Sequence, residues 1–135
     1  MPVQLSHPEG LLQQADYAPV ALATGTRLVL LAGQASVKPS GEVTSTDLAG
    51  QVHTALQNVA TGVKGAGGGV DDIARLTVYV VGWAQEMAGE LFEGFARAQA
   101  SDGFASPMPP FTLVGVQALW SPELLVEIEA TAVLA

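Results

Sequence analysis

Alternation and helical spacing divide the chain into seven patterned segments. "VALATGTRLVLLAGQ" reads as two short strands, 20–24 and 27–34, joined through Gly25 and Thr26. A two-residue link containing glycine is a hairpin signal. In "STDLAGQVHTALQNVATGVKGAGGG", Leu48, Val52, Leu56, Val59 and Val63 recur at helical spacing and form one apolar stripe. Ser45, Thr46 and Asp47 offer N-cap oxygens, Lys64 suits the last turn, and Gly65 is a natural stop. "ARLTVYVVG" predicts a β-branched strand near 74–82, and a second helix follows near 84–100 with Met87, Leu91 and Phe95 on one face. Pro107, Pro109 and Pro110 then break the chain, because proline fixes φ and removes a donor. "FTLVGVQAL" and "LLVEIEATAVL" predict two more strands, joined by a turn through Ser121 and Pro122.

The predicted order is hairpin, helix, strand, helix, hairpin. Strand–helix–strand crossovers imply parallel pairs with the helices packed on the sheet. The expectation is an α/β (α+β) domain over residues 1–135, a mixed sheet of about five or six strands with two helices on one face. In the 28–31 strand, Leu28 and Leu30 oppose Val29 and Leu31; near 76–81, Leu76, Val78 and Val80 oppose Tyr79 and Val81. Such doubly apolar strands are buried on both sides. Two helices cover only one side, so an obligate homo-oligomer is expected to bury the other.

Composition narrows the function. Only 13% of residues are charged, against about 25% in an ordinary domain, yet no run approaches the roughly 18 apolar residues of a membrane span. "MPVQLSHPEG" shows no signal-peptide pattern, so a cytoplasmic location is expected. Cysteine is absent, which removes disulfides and thiolate metal sites. The net charge is −8, and the five cations (Arg27, Lys38, Lys64, Arg75, Arg97) are scattered. Phosphate backbones bind clustered cations, so nucleic acid is not an expected partner.

Few residues carry obvious chemistry. His7 and His53 have neither a second histidine nor carboxylates at ligand spacing, so no metal is expected. "GVKGAGGG" ends a helix rather than opening one, and it lacks the phosphate-loop order of glycine and lysine. No G-x-S-x-G elbow is present. In "VEIEATAV", alternation puts Glu127, Glu129 and Thr131 on one face. They read either as a solvated outer face or as a subunit boundary where one glutamate orients a water as general base.

The order and spacing of "LLAGQ" (30–34), "GEV" (41–43), "QVHTALQNV" (51–59), "GGGVDDIARLTVYV" (67–80), "FEGF" (92–95) and "VEIEATAV" (126–133) resemble the reactive intermediate deaminase family, also called Rid, YjgF or L-PSP. The resemblance runs from Tyr17 to Val133. It implies a chorismate-mutase-like fold and a homotrimer with a central barrel, outer helices and small-molecule clefts between subunits. Active members hydrolyse enamines and imines to a keto acid and ammonia without a cofactor. On this resemblance Tyr17 lines the cleft, Gly33 presents its backbone to the ligand, and Glu127 positions the attacking water. Ala32 stands where a serine is common, and Gly89 falls roughly where an asparagine is expected. Phe111, in "PPFT", stands where active members carry the arginine that clamps the substrate carboxylate. Thr112 and Trp120 complete the expected ligand contacts.

A charge-assisted hydrogen bond is worth ~1.5–3 kcal/mol, so losing a bidentate pair costs roughly 3–6 kcal/mol. A carboxylate-bearing imine is therefore an unfavourable substrate, and a neutral or aromatic imine-like molecule is the expected ligand. The alternative is a non-enzymatic binding or regulatory trimer with a decayed site. A ribonuclease reading is opposed by the acidic balance.

Overall fold

The computed structural model describes residues 2–135. Six strands and two long helices follow in the order β1 (Val3–Ser6), β2 (Val20–Ala23), β3 (Arg27–Gln34), α1 (Leu48–Gly65), β4 (Ile73–Val81), α2 (Ala88–Asp102), β5 (Phe111–Val116) and β6 (Val126–Leu134). The main sheet runs β3-β6-β4-β5, with β4 and β5 parallel and β6 antiparallel to both β3 and β4. β1 and β2 form a separate two-stranded ribbon.

Both expected hairpins are corrected by this topology. β2 pairs with β1 instead of β3, and β5 and β6 are separated by β4. The Gly25–Thr26 link does not fold back because it docks on the C-terminal strand. Thr26 N–H donates to Leu134 O at 3.0 Å. A Cβ at Gly25 would also meet Leu134 O and lie 2.8 Å from Val133 Cγ1. The 117–125 connection is anchored below the sheet by Gln51, a fully buried amide. Its Nε2 donates to Glu123 O (2.9 Å) and Ser45 O (3.2 Å), and its Oε1 accepts from Leu125 N–H (2.8 Å). Strand β1 gave no pattern strong enough to foresee.

The helices pack as their stripes require. Leu48, Val52, Leu56, Val59 and Val63 of α1 are buried against Leu76, Val78, Val80, Ile128 and Ala130 of the sheet. Each such side chain contributes roughly 1.5–3 kcal/mol on leaving water. The α1 cap differs from expectation: Asp47 is the N-cap residue, but no side-chain oxygen bonds the first turn. Lys64 lies in the last turn as expected, but the helix runs through Gly65 to a C-cap at Ala66, and the glycine with left-handed backbone just beyond it is Gly67, with φ 98°. α2 begins after a single 3-10 turn at Gln85–Met87 and ends at Gly103, whose φ of 77° suits glycine. Leu91 and Phe95 are buried, and Gly94 lets α2 lie directly on Val52 of α1.

The second sheet face is less uniformly apolar than expected. Leu28 and Leu30 at one edge are 64% and 70% exposed. Arg75, Thr77 and Tyr79 of β4 and Glu127, Glu129 and Thr131 of β6 form a polar stripe through the middle. Among the described residues, no helix is long and apolar enough to cross a membrane.

Candidate functional site

Two of the residues expected to share a site meet at a kink in β3. Leu31 pairs with Ala130 and Gln34 with Ile128, so Ala32 and Gly33 form a bulge in the ladder. Bulges re-aim side chains beside strands. Here the bulge brings the Gly33 backbone under the side chain of Glu127, and a Cβ at Gly33 would fall 2.6 Å from Glu127 Cδ. No residue but glycine leaves that carboxylate where it is. Ala32 is exposed beside it and supplies no hydroxyl.

A second group forms where the proline segment enters β5. Ala18 N–H donates to Met108 O (2.8 Å) and Met108 N–H to Asp16 O (3.0 Å), pinning residues 106–110 against 16–18. Gln14 holds this loop from within, its Oε1 accepting from Asp16 and Tyr17 N–H and its Nε2 donating to Tyr17 O. The Ser106–Pro107 bond is cis. The Tyr17 ring then meets Phe111 edge-on at 4.9 Å, Phe111 meets Phe95 at 5.1 Å, and Phe95 meets Phe92 at 5.8 Å. Phe111 is thus a half-buried link in an aromatic chain, beside a recess of about 130 Å³ lined by Phe92, Phe95 and Asp16.

These two groups do not form one pocket within a single chain. Phe111 pairs with Leu76, and Glu127 with Tyr79, three residues further along β4. Two strand spacings and three residues separate their Cα atoms by about 14 Å. Phe111 also faces the helices, whereas Glu127 faces the other way. Thr112 lies on the outer face, apart from Phe111. Trp120 is 63% exposed in the 117–125 loop. Gly89 lies in the first turn of α2 with open space around it and offers no polar group.

Arg27, Arg75 and Arg97 are the arginines that could replace the one absent at Phe111, and none of them is near Phe111 along the chain. The parallel β4–β5 register brings Arg75 to the start of β5, where its Nη2 donates to Thr112 Oγ1 at 2.6 Å. Alternation in β4 was the available signal, but it needed the register to become useful. Nearby, Tyr79 O–H donates to Glu129 Oε1 at 2.8 Å. The Tyr79 pKa is raised, first by that hydrogen bond, then by desolvation and by the charges of Glu129 and Glu127.

The histidines do other work. His53 Nε2 faces both Ser101 Oγ (2.8 Å) and Asp102 Oδ2 (3.1 Å), tying α1 to the end of α2. A nucleophilic relay needs the acid and the hydroxyl on opposite ring nitrogens, so this cluster is not one. His7 Nε2 lies 3.2 Å from Tyr17 O. No group of His, Asp and Glu among the described residues could hold a metal ion.

Comparison with known proteins adds the wider context. A family model described as "Endoribonuclease L-PSP" matches residues 10–134. The crystal structure of a Yersinia pestis protein of the conserved Rid family, described as of unknown function, is 31% identical. It superposes with a TM-score of 0.85 over 99% of this chain and 100% of that one. Rv2704 of Mycobacterium tuberculosis, a YjgF/YER057c/UK114 family member, is 30% identical with a TM-score of 0.63 over 87% of this chain and 86% of that one. Escherichia coli TdcF with bound serine is 27% identical with a TM-score of 0.68 over 93% of this chain and 97% of that one. Among curated proteins, no match is found.

Proposed function

The chain belongs to the Rid/YjgF/L-PSP family, and from that premise we propose that it is a homotrimer with a small-molecule site between subunits. The observation that carries this is the division of the site. The Gly33–Glu127 corner and the Tyr17–Phe111 wall lie on opposite faces of one sheet, so only a neighbouring copy can bring them together. Leu28 and Leu30, exposed on the β3 edge, are the contacts such a copy would bury.

The ligand is a small imine-like molecule, neutral or aromatic. Phe111 is wedged between Tyr17 and Phe95, so rings and not a guanidinium wall that side of the site. Aromatic pairs at this geometry contribute about 0.5–1.5 kcal/mol each beyond their burial. Glu127 accepts a proton from water, the hydroxide adds to the imine carbon, and the C–N bond breaks. The products are a carbonyl compound and ammonia or an amine, nitrogen having taken both the proton held by Glu127 and the proton of the added hydroxyl. A second reading, a binding trimer without turnover, is favoured by Ala32, which removes a hydroxyl beside Gly33. RNA cleavage finds no support in the surface, since Lys38 and Arg97 are paired with Glu42 and Glu93.

The test is ammonia or amine release from neutral aryl imines, above the buffer rate, by wild type and Glu127→Gln. Loss of turnover on substitution, with ligand-induced thermal stabilisation retained, supports hydrolysis. Stabilisation in both proteins with turnover in neither identifies the binding trimer. A monomer at micromolar concentration in sedimentation equilibrium removes both readings.

A further inference from the structure

Residues 16–18 run as a short extended stretch beside the proline segment. Asp16 O accepts from Met108 N–H (3.0 Å) and Ala18 N–H donates to Met108 O (2.8 Å), which makes a single parallel bridge between Tyr17 and Met108. In extended backbone the N–H and C=O of the middle residue point to the opposite side, where a further strand would ordinarily receive them. Among the described residues no strand pairs with Tyr17 on that side. The side chain of Gln14 takes the strand's place. Its Oε1 accepts from Tyr17 N–H (3.1 Å) and Asp16 N–H (2.7 Å), and its Nε2 donates to Tyr17 O (2.6 Å). The amide fits only one way round. Flipped, its oxygen would face Tyr17 O and its nitrogen would face two N–H groups.

We infer that Gln14 is a positioning residue for the ligand site: by holding both backbone groups of Tyr17, it sets where the Tyr17 ring stands against Phe111. The inference rests on the reading of Tyr17 and Phe111 as one wall of that site. The ring leaves the backbone through Cα–Cβ, so turning the peptide units on either side of Tyr17 swings it. Separate waters would satisfy the same N–H and C=O without fixing the two together. The half-buried Gln14 amide fixes both, because its acceptor and its donor belong to one rigid plane. What it holds in place is the edge-on contact of Tyr17 with Phe111, at 4.9 Å, which continues to Phe95. The preceding residue does a different job. Gln13 Nε2 donates to Pro8 O and Leu11 O, at 3.0 Å each, so it braces the loop without holding Tyr17. Glu127, which carries the proton in hydrolysis, reaches the site from a neighbouring copy. A displaced Tyr17 ring therefore acts on ligand binding and not on proton transfer.

The first part of the test needs no ligand. The chain has two tyrosines, Tyr17 and Tyr79, so ring-labelled tyrosine gives a simple NMR spectrum that Tyr79→Phe assigns. Phe111→Leu shows how far the Phe111 ring displaces the Tyr17 signal. Gln14→Met keeps the length of the side chain and loses its hydrogen bonds. It should move the Tyr17 signal toward its position in Phe111→Leu, whereas Gln13→Met should leave the signal in place. The second part measures hydrolysis of benzylideneaniline, a neutral aryl imine, by the assembled protein. Gln14→Met should raise KM about tenfold and leave kcat within about twofold, the pattern of binding lost alike from the bound and transition states. In a Tyr17→Ala background the same substitution should change nothing further, since it acts through that ring. Circular dichroism checks that each variant is folded. Should Gln14→Met fail to fold, Gln14→Lys, which keeps a donor for Tyr17 O and loses the acceptor, takes its place. If wild type neither hydrolyses nor binds the imine, the imine reading falls and the NMR signal alone decides the positioning. An unmoved Tyr17 signal in Gln14→Met, an equal response to Gln13→Met, an unchanged KM where wild type turns over, or a full further effect in Tyr17→Ala overturns the inference.

Discussion

Replacing Gly33 by alanine puts a methyl group where the Glu127 side chain now lies. The new Cβ would sit 2.6 Å from Cδ and 2.7 Å from Cγ of the glutamate. That is about 1 Å inside ordinary carbon contact, ~3.5–4.0 Å. Gly33 is not in the left-handed region, so its backbone itself accepts a side chain. The flanking pairs Leu31–Ala130 and Gln34–Ile128 hold β3 in place, which leaves the glutamate to move. Turning a side chain off its rotamer costs about 0.5–1.5 kcal/mol. The reduced freedom of the unfolded chain returns about 0.4–1 kcal/mol. Stability should thus change by less than about 1 kcal/mol. Chemistry is more sensitive, since a displacement of about 1 Å can lower a rate by about 10². Urea unfolding and imine turnover, measured on the same preparation, separate the two effects. The expected result is a nearly unchanged midpoint with kcat down about 10²-fold. In the Gly33→Ala, Glu127→Ala double variant the clash is gone, and it should be at least as stable as Glu127→Ala alone. Undiminished turnover in Gly33→Ala, or a loss of more than about 3 kcal/mol, would refute the reasoning.

Gln51→Leu keeps the volume of a buried side chain but strands Glu123 O and Leu125 N–H; at about 1–3 kcal/mol per unpaired group, urea unfolding should show a loss of roughly 2–6 kcal/mol. Tyr79 has a raised pKa, so its contribution to stability is complete below the ordinary tyrosine value of about 10 and is lost as pH rises through the folded value. Phenolate absorbance should place Tyr79 titration in Glu129→Gln below that in wild type, and Tyr79→Phe should flatten the alkaline decline in stability; an unchanged titration would show that Glu129 does not hold the phenol.

The local rules were legible in the chain because they act over a few residues. The apolar stripe from Leu48 to Val63 specified α1, and the β-branched run around Val78 specified β4, since burial at those spacings needs no distant partner to be recognised. Glu127 and Glu129 on one face followed from strand alternation alone. Pairing was another matter. Gly25–Thr26 looked like a turn, yet Leu134, more than a hundred positions away, offered its carbonyl and took the link instead. β6 inserted between β3 and β4 because its buried face completes the core over α1 from the middle of the sheet, a choice settled by packing between segments that are remote in sequence. The same register carried Arg75 to Thr112 and left it diagonal to Glu129. Periodicity tells which way a side chain points, but only the closed sheet determines what it faces.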